Sequence, residues 1–252
     1  MAIHSRTINC ADSASTMKTI RGRARPLHHY TQGEEVRSVA TKFLAGHMAL
    51  DDFWTRFAAD RVAEVNNPKI IHRPLSPGNI GTLPMPRPSD DIMKATGKAA
   101  LAALGVNLNV QRLYDSQILL CLGSVFHDDL HGWSSSLFLN WYLAGPPRDF
   151  VVKGIGRVTV KPGDLMLFDP SRAHALMLPG ERSIQEANWS CEAADHSIFL
   201  AVDVALTPKL EKKFGIKRGA HSTFAKRGST LADWSQVRIN PATGLLTKAP
   251  QE

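Results

Sequence analysis

From Val106 to Val204 the chain is cut into short apolar stretches by turn signals, and no helical period survives long enough there to compete with strands. The stretches are Asn109–Leu113, Gln117–Phe126, Ser135–Tyr142, Phe150–Val152, Arg157–Val160, Leu165–Phe168, Ala173–Leu178, Ser183–Ser190 and Ser197–Val204. Between them stand Gly145-Pro146-Pro147, Pro162-Gly163-Asp164, Asp169-Pro170 and Pro179-Gly180, residues whose backbone preferences reverse a chain. Many short strands divided in this way predict a sandwich or barrel.

The N-terminal third reads differently. Val36, Val39, Phe43 and Leu44 recur at helical spacing, and Phe53, Trp54, Phe57, Ala58 and Val62 do so again. Two helices are therefore predicted between Glu34 and Val65, the second capped by Asp51 or Asp52. A third is predicted over 90–104, capped by Ser89 and stopped by Gly105. Residues 66–90 hold six of the fifteen prolines and read as irregular loop. Helices first and strands afterwards predict a mainly β, α+β fold with the helices packed on one face of a double sheet. Residues 1–32 are expected to be a flexible basic tail. Residues 33–252 are expected to form one domain, with helical support over 33–105, a strand-rich core over 106–206 and a basic extension over 207–252.

Charge and cysteine content narrow the setting. The net charge is +7, with four cations in Lys18–Arg25 and seven cations against one acid in Lys209–Arg227. Solvated basic tails are the preferred reading of this balance, which would also suit an acidic partner or nucleic acid. Nucleic acid is the secondary reading, disfavoured because no aromatic interleaving or helix-turn-helix pattern accompanies the charge. Cys10, Cys121 and Cys191 are odd in number and form no CxxC pattern, which argues against a disulfide framework or structural zinc. No apolar stretch is long enough for a bilayer, and Met1–Met17 lacks the apolar core of a secretory leader. A cytoplasmic protein without membrane partners is expected.

The chemistry is concentrated in Ser124–Trp133, where His127 and Asp129 stand two apart. On an extended strand, i and i+2 share a face, so an imidazole and a carboxylate can converge on one point. His174, which follows a turn, an apolar strand and a second turn, is the strongest third ligand, with His131 a competitor to His127. Two histidines and one carboxylate leave one face of an octahedral iron open to further ligands. If Pro179-Gly180-Glu181 is a three-residue hairpin loop, Arg182 faces Leu178 and shares the face of His174. Arg172, in the turn before His174, is the comparison residue. Alternation back from His127 places Gln117 inward, and Ser136, Phe138 and Asn140 share a face on the following strand. Glu186 and Asn188 would follow Arg182 inward, whereas Trp133 and Trp141 read as packing residues.

The His127-x-Asp129 pair, His174 and the basic residue soon after it resemble the Fe(II)- and 2-oxoglutarate-dependent dioxygenase superfamily, in its prolyl-hydroxylase-like branch. The resemblance covers about Gln111–Val204. It implies a double-stranded β-helix, or jelly roll, with Fe(II) on His127, Asp129 and His174. It further implies 2-oxoglutarate as co-substrate, dioxygen as oxidant, and hydroxylation of a small-molecule, amino-acid or peptide substrate. Arg182, eight positions after His174, would take the far carboxylate of 2-oxoglutarate, with Gln117 and Asn140 as polar contacts. Relatives often carry tyrosine where Phe138 stands. A cupin-type metal enzyme and a noncatalytic jelly-roll binding module are the alternatives; cupins favour HxH and a histidine nearer the Pro-Gly turn.

Overall fold

The computed structural model describes residues 17–21, 28–30, 36–65, 67, 80–82, 87–106, 113–129, 135–184, 195–219 and 237–248. In chain order the elements begin with β1 (Lys18–Arg21), β2 (His28–Tyr30), β3 (Val36–Ser38), β4 (Lys42–His47), α1 (Asp52–Val65), β5 (Ile80–Thr82) and α2 (Asp90–Ala103). Then come β6 (Leu113–Cys121), β7 (Ser124–His127), β8 (Ser136–Ala144), β9 (Arg148–Val152), β10 (Gly156–Val160), β11 (Asp164–Phe168), β12 (His174–Met177) and β13 (Ser197–Ala205). The chain closes with α3 (Pro208–Phe214), β14 (Arg218–Gly219), β15 (Val237–Ile239) and β16 (Leu246–Lys248).

Two antiparallel sheets hold most of these strands. The larger runs β1-β4-β11-β8-β13-β6-β5 and the smaller β10-β9-β12-β7. From β6 to β13 the chain crosses repeatedly between them, so that β11-β8-β13-β6 lies over β10-β9-β12-β7 in jelly-roll order. Strand alternation then sorts the side chains. Along β13, Ile198, Leu200, Val202 and Val204 join the cluster under the helices, while Phe199 joins Phe150, Phe168 and Leu176 between the sheets. Both faces of the large sheet are covered, which is why its strands read as continuous apolar runs rather than clean alternation.

Helices α1 and α2 cover the outer face through Trp54, Ala58, Met93, Ala100 and Leu101. The Trp54 and Trp141 rings meet edge-on with centroids 5.4 Å apart. Trp54 Nε1 donates to Thr96 Oγ1, joining the two helices, and Trp141 Nε1 donates to the Met48 carbonyl. Asp51 caps α1, its Oδ1 accepting from the Trp54 amide at 2.9 Å. Ser89 occupies the cap position of α2 without a capping side-chain bond, contrary to expectation; Asp90 and Asp91 instead favour that helix end by charge.

The first predicted helix is absent. Strands β3 and β4 stand in its place, and β4 lies between β1 and β11. Phe43 points to the core between the sheets and Leu44 to the core under the helices. A strand buried on both faces offers apolar residues at every spacing, so the apparent helical period was fortuitous. The expected tail at 1–32 also contains two strands: β1 pairs with β4, with Ile20 against the inner core, and β2 pairs with β3. At the turn between β10 and β11, the Asp164 amide bonds the Lys161 carbonyl and Gly163 has φ +93°. That is the pattern of a type II turn, which glycine fits without strain.

Candidate metal centre

Strands β7 and β12 are neighbours in the small sheet, with His174 paired to His127 across them. Strand β7 ends at His127, and just beyond it the Asp129 amide is fixed by the Pro170 carbonyl at 3.0 Å. The turn before β12 thus holds the carboxylate while β12 itself carries the second histidine. One ligand atom from each of His127, Asp129 and His174 lies within 4.8 Å of the others. Asp129 Oδ2 is 3.5 Å from His174 Nε2, and Oδ1 is 3.8 Å from His127 Nε2.

Both imidazoles are oriented in the same way. His127 Nδ1 lies 2.8 Å from the Val125 carbonyl and His174 Nδ1 lies 2.9 Å from the Arg172 carbonyl. A carbonyl only accepts, so each Nδ1 carries the proton and each Nε2 presents its lone pair to the shared point. His127 Nε2 is buried and has no hydrogen-bond partner among the described residues. A buried lone pair left in this way, beside a second one and a carboxylate, suits a divalent metal of intermediate softness. Burial and then the neighbouring His127 push the His174 pKa down to about 3, which keeps its nitrogen available. Burial raises the Asp129 carboxyl, opposed by His127.

Behind this centre lies a buried ion pair that sequence reading missed. Arg37 on β3 grips Asp169 with two bonds, at 2.9 and 3.1 Å, and also donates to Ser171 Oγ. Burial alone would raise the Asp169 carboxyl, but Arg37 and the Ala40 and Ser171 amides hold it below its usual value. Arg172 completes the turn by donating to the Lys153 and Ala40 carbonyls. Residues 169–172 are therefore fixed at several points, and they carry the two carbonyls that position Asp129 and His174.

The triad opens onto a cleft between the sheets walled by Phe138, Phe150, Phe168, Leu176, Phe199 and Cys121. The Phe168 ring lies 4.8 Å from that of His174. Asn140 also lines the cleft, with its Oδ1 buried and unpartnered. Gln117 lies on the same row, since both it and Asn140 pair with Ala201, though it does not line the cleft. The reason differs from the one expected. After Cys121 the chain changes sheets, so Gln117 faces inward by its pairing with β13 and not by alternation from His127.

Arg182 does not share the face of His174. Strand β12 ends at Met177, and the Glu181 amide bonds the Leu178 carbonyl around Pro179-Gly180, with Gly180 at φ +81°. Asp149, on the outer face of β9, draws this turn outward by accepting the Gly180 amide at 2.8 Å. Arg182 is exposed and absent from the cleft wall, and among the described residues no strand follows the turn in the three-residue hairpin register. Another cation is buried instead. Arg148 shares the inner face of β9 with Phe150, is 3% exposed, and donates to the Asp195 carbonyl. Its charge acts on Cys121 and Tyr142, whose protons burial nonetheless pushes up to about 12 in each case. His131, Trp133, Glu186 and Asn188 lie outside the described residues.

No family model and no curated protein matches the chain. Among solved structures it is similar to a prolyl-4-hydroxylase of Pseudomonas putida, at 13% identity and TM-score 0.42 over 66% of this chain and 92% of that one. It is similar also to SnoK, a non-heme alpha ketoglutarate dependent carbocyclase from nogalamycin biosynthesis, at 15% identity and TM-score 0.40 over 80% and 88%. A predicted oxalate decarboxylase of Thermotoga maritima matches at 18% identity and TM-score 0.27 over 50% and 79%. With scores this low the likenesses carry no weight beside the site's own geometry.

Proposed function

We propose that the chain is an Fe(II)- and 2-oxoglutarate-dependent oxygenase that hydroxylates an organic substrate. The observation that carries this reading is the convergence of His127, Asp129 and His174, with both Nε2 lone pairs aimed at one point at the mouth of the jelly-roll interior. Iron there, with 2-oxoglutarate and dioxygen, would supply oxidative decarboxylation to succinate and carbon dioxide and the oxidant for a substrate C–H bond. The chain's own part is to orient the ligands, exclude water with the aromatic wall, and hold both organic molecules in register.

The far carboxylate of 2-oxoglutarate needs a cation inside the fold. Arg148 is our choice in place of Arg182, because it is buried, inward-facing and adjacent to Cys121 on the cleft wall. Its guanidinium offers a planar fork to a carboxylate. Tyr142, whose hydroxyl lies 2.8 Å from Ser197 Oγ, would add a hydroxyl at the same end, and the Asn140 amide nitrogen a donor nearer the metal.

Anaerobic iron titration followed by succinate release from 2-oxoglutarate tests the reading. One Fe(II) per chain and iron-dependent succinate are expected, both lost in His174→Ala. Stoichiometric metal without 2-oxoglutarate turnover would favour a cupin-type enzyme, and absence of metal binding would leave a binding module.

A further inference from the structure

The inner face of the large sheet carries two acceptors to which no described residue donates. On β13, Asp203 pairs with Phe138 and Ala201 with Asn140, and cross-strand partners share a face. Phe138 and Asn140 line the cleft over the triad. Asp203 therefore stands beside the cleft wall, on the face opposite Val202 and Val204, which pack under the helices. It is only 6% exposed, and no described residue gives it a hydrogen bond or an ion pair. Asn140 Oδ1, one row further along, is likewise buried without a donor.

The surroundings add negative charge. Asp115 on β6 is a near neighbour of Asp203 across the bulge between Val202 and Val204, and its Oδ1 is already engaged by the Ser116 amide. Burial, then the charges of Asp115 and Asp129, raise the Asp203 carboxyl to about 7. A buried carboxylate with neither donor nor counter-ion is costly and rarely left so without a reason. Hydrophobic cleft walls leading to two unpartnered acceptors complement one kind of group: a protonated nitrogen on an apolar stem.

We propose that Asp203 and Asn140 form the substrate subsite for a protonated amine, placing an ammonium at the edge of the cleft and its alkyl portion against the aromatic wall. The role assigned to this subsite rests on the oxygenase reading, but its chemistry does not. An alkylammonium donates to both acceptors and cancels the charge at Asp203, whereas a neutral alcohol of the same length satisfies at most the hydrogen bonds.

The test is equilibrium binding of n-butylammonium and of 1-butanol to the full-length chain at pH 8, both metal-free and iron-loaded. The ammonium should bind roughly tenfold or more tightly than the alcohol, as a charge-assisted hydrogen bond implies. Asp203→Asn, which keeps the shape and removes the charge, should abolish that preference, while Asp115→Asn should reduce it by less. Equal affinities, a preference that survives Asp203→Asn, or no binding of either probe would overturn the subsite. A preference that persists where iron and 2-oxoglutarate turnover fail would remove the oxygenase reading and leave the subsite. Intact succinate release with no ammonium preference would do the reverse.

Discussion

Arginine at position 148 and arginine at position 182 differ in one respect that decides their chemistry, which is the side of the small sheet each occupies. Arg148 follows the inward parity of Phe150, while the turn carrying Arg182 is tethered to Asp149 on the outward parity. If Arg148 anchors 2-oxoglutarate, Arg148→Ala strands a carboxylate in the interior at a cost of about 3–5 kcal/mol. Steady-state kinetics should then show the KM for 2-oxoglutarate raised by roughly two to three orders of magnitude. Arg148→Lys should recover part of the loss, since it keeps the charge without the fork. Arg182→Ala should leave KM within about twofold of wild type, as surface substitutions usually do. A large effect at Arg182 with none at Arg148 would return the anchor to the exposed turn. The convergence of His127 and Asp129 was legible because two-residue spacing at a strand end is local geometry. The cation was not, because its placement depends on where a strand ends and which carboxylate catches the next turn.

Elements show the same division between local and long-range causes. Helices α1 and α2 were readable from period and caps, and strands β8 through β13 from turn residues. Strands β3 and β4 were misread as a helix because burial on both faces erases the period-two signal. The Arg37–Asp169 pair was invisible for a different reason: its partners are 132 positions apart, and neither carries a motif. It joins β3 to the turn whose carbonyls hold Asp129 and His174, so its loss should be felt at two levels. Asp169→Ala removes the carboxylate that pairs with the fully buried Arg37 and should destabilise the fold by about 3–5 kcal/mol in denaturant unfolding. Iron affinity of the surviving folded protein should fall as well, since the Pro170 and Arg172 carbonyls lose their support. Replacing both partners, Arg37→Leu with Asp169→Leu, should cost less than the sum of the two single changes. Additive losses would mean that the pair is not coupled as its geometry indicates.

At the scale of the whole molecule, sequence reading assigned the basic charge to the end segments and did not single out Asp203 within its apolar stretch. The core is not uniform, because the β13 stretch Ser197–Ala205 carries Asp203 among residues that are all buried. A lone acid inside an apolar strand was the available signal, and its weight becomes clear only when β6 and β7 bring Asp115 and Asp129 toward it. The carboxyl is raised from 3.8 to about 7 in the folded chain, by burial first and by those two charges next. The unfolded chain therefore releases this proton near pH 4, and the folded chain holds it until about pH 7. Across that interval the folded state binds more protons, so the stabilisation is complete below the unfolded value and is lost as pH rises through the folded one. Solvent screening of a carboxyl that is not fully enclosed leaves about 1–2 kcal/mol of an unscreened ~4 kcal/mol. In chelator, denaturant unfolding should show wild type losing stability between about pH 4 and pH 7 relative to Asp203→Asn, by about that amount. The variant should be the more stable of the two at pH 8 and lose its advantage as pH falls below about 4. Bound divalent metal should shrink the difference by offsetting Asp129, and n-butylammonium should shrink it further by pairing Asp203 directly. Parallel stability curves for wild type and Asp203→Asn would show that this carboxyl is solvated in the folded chain, and the case for an ammonium beside it would lose its electrostatic support.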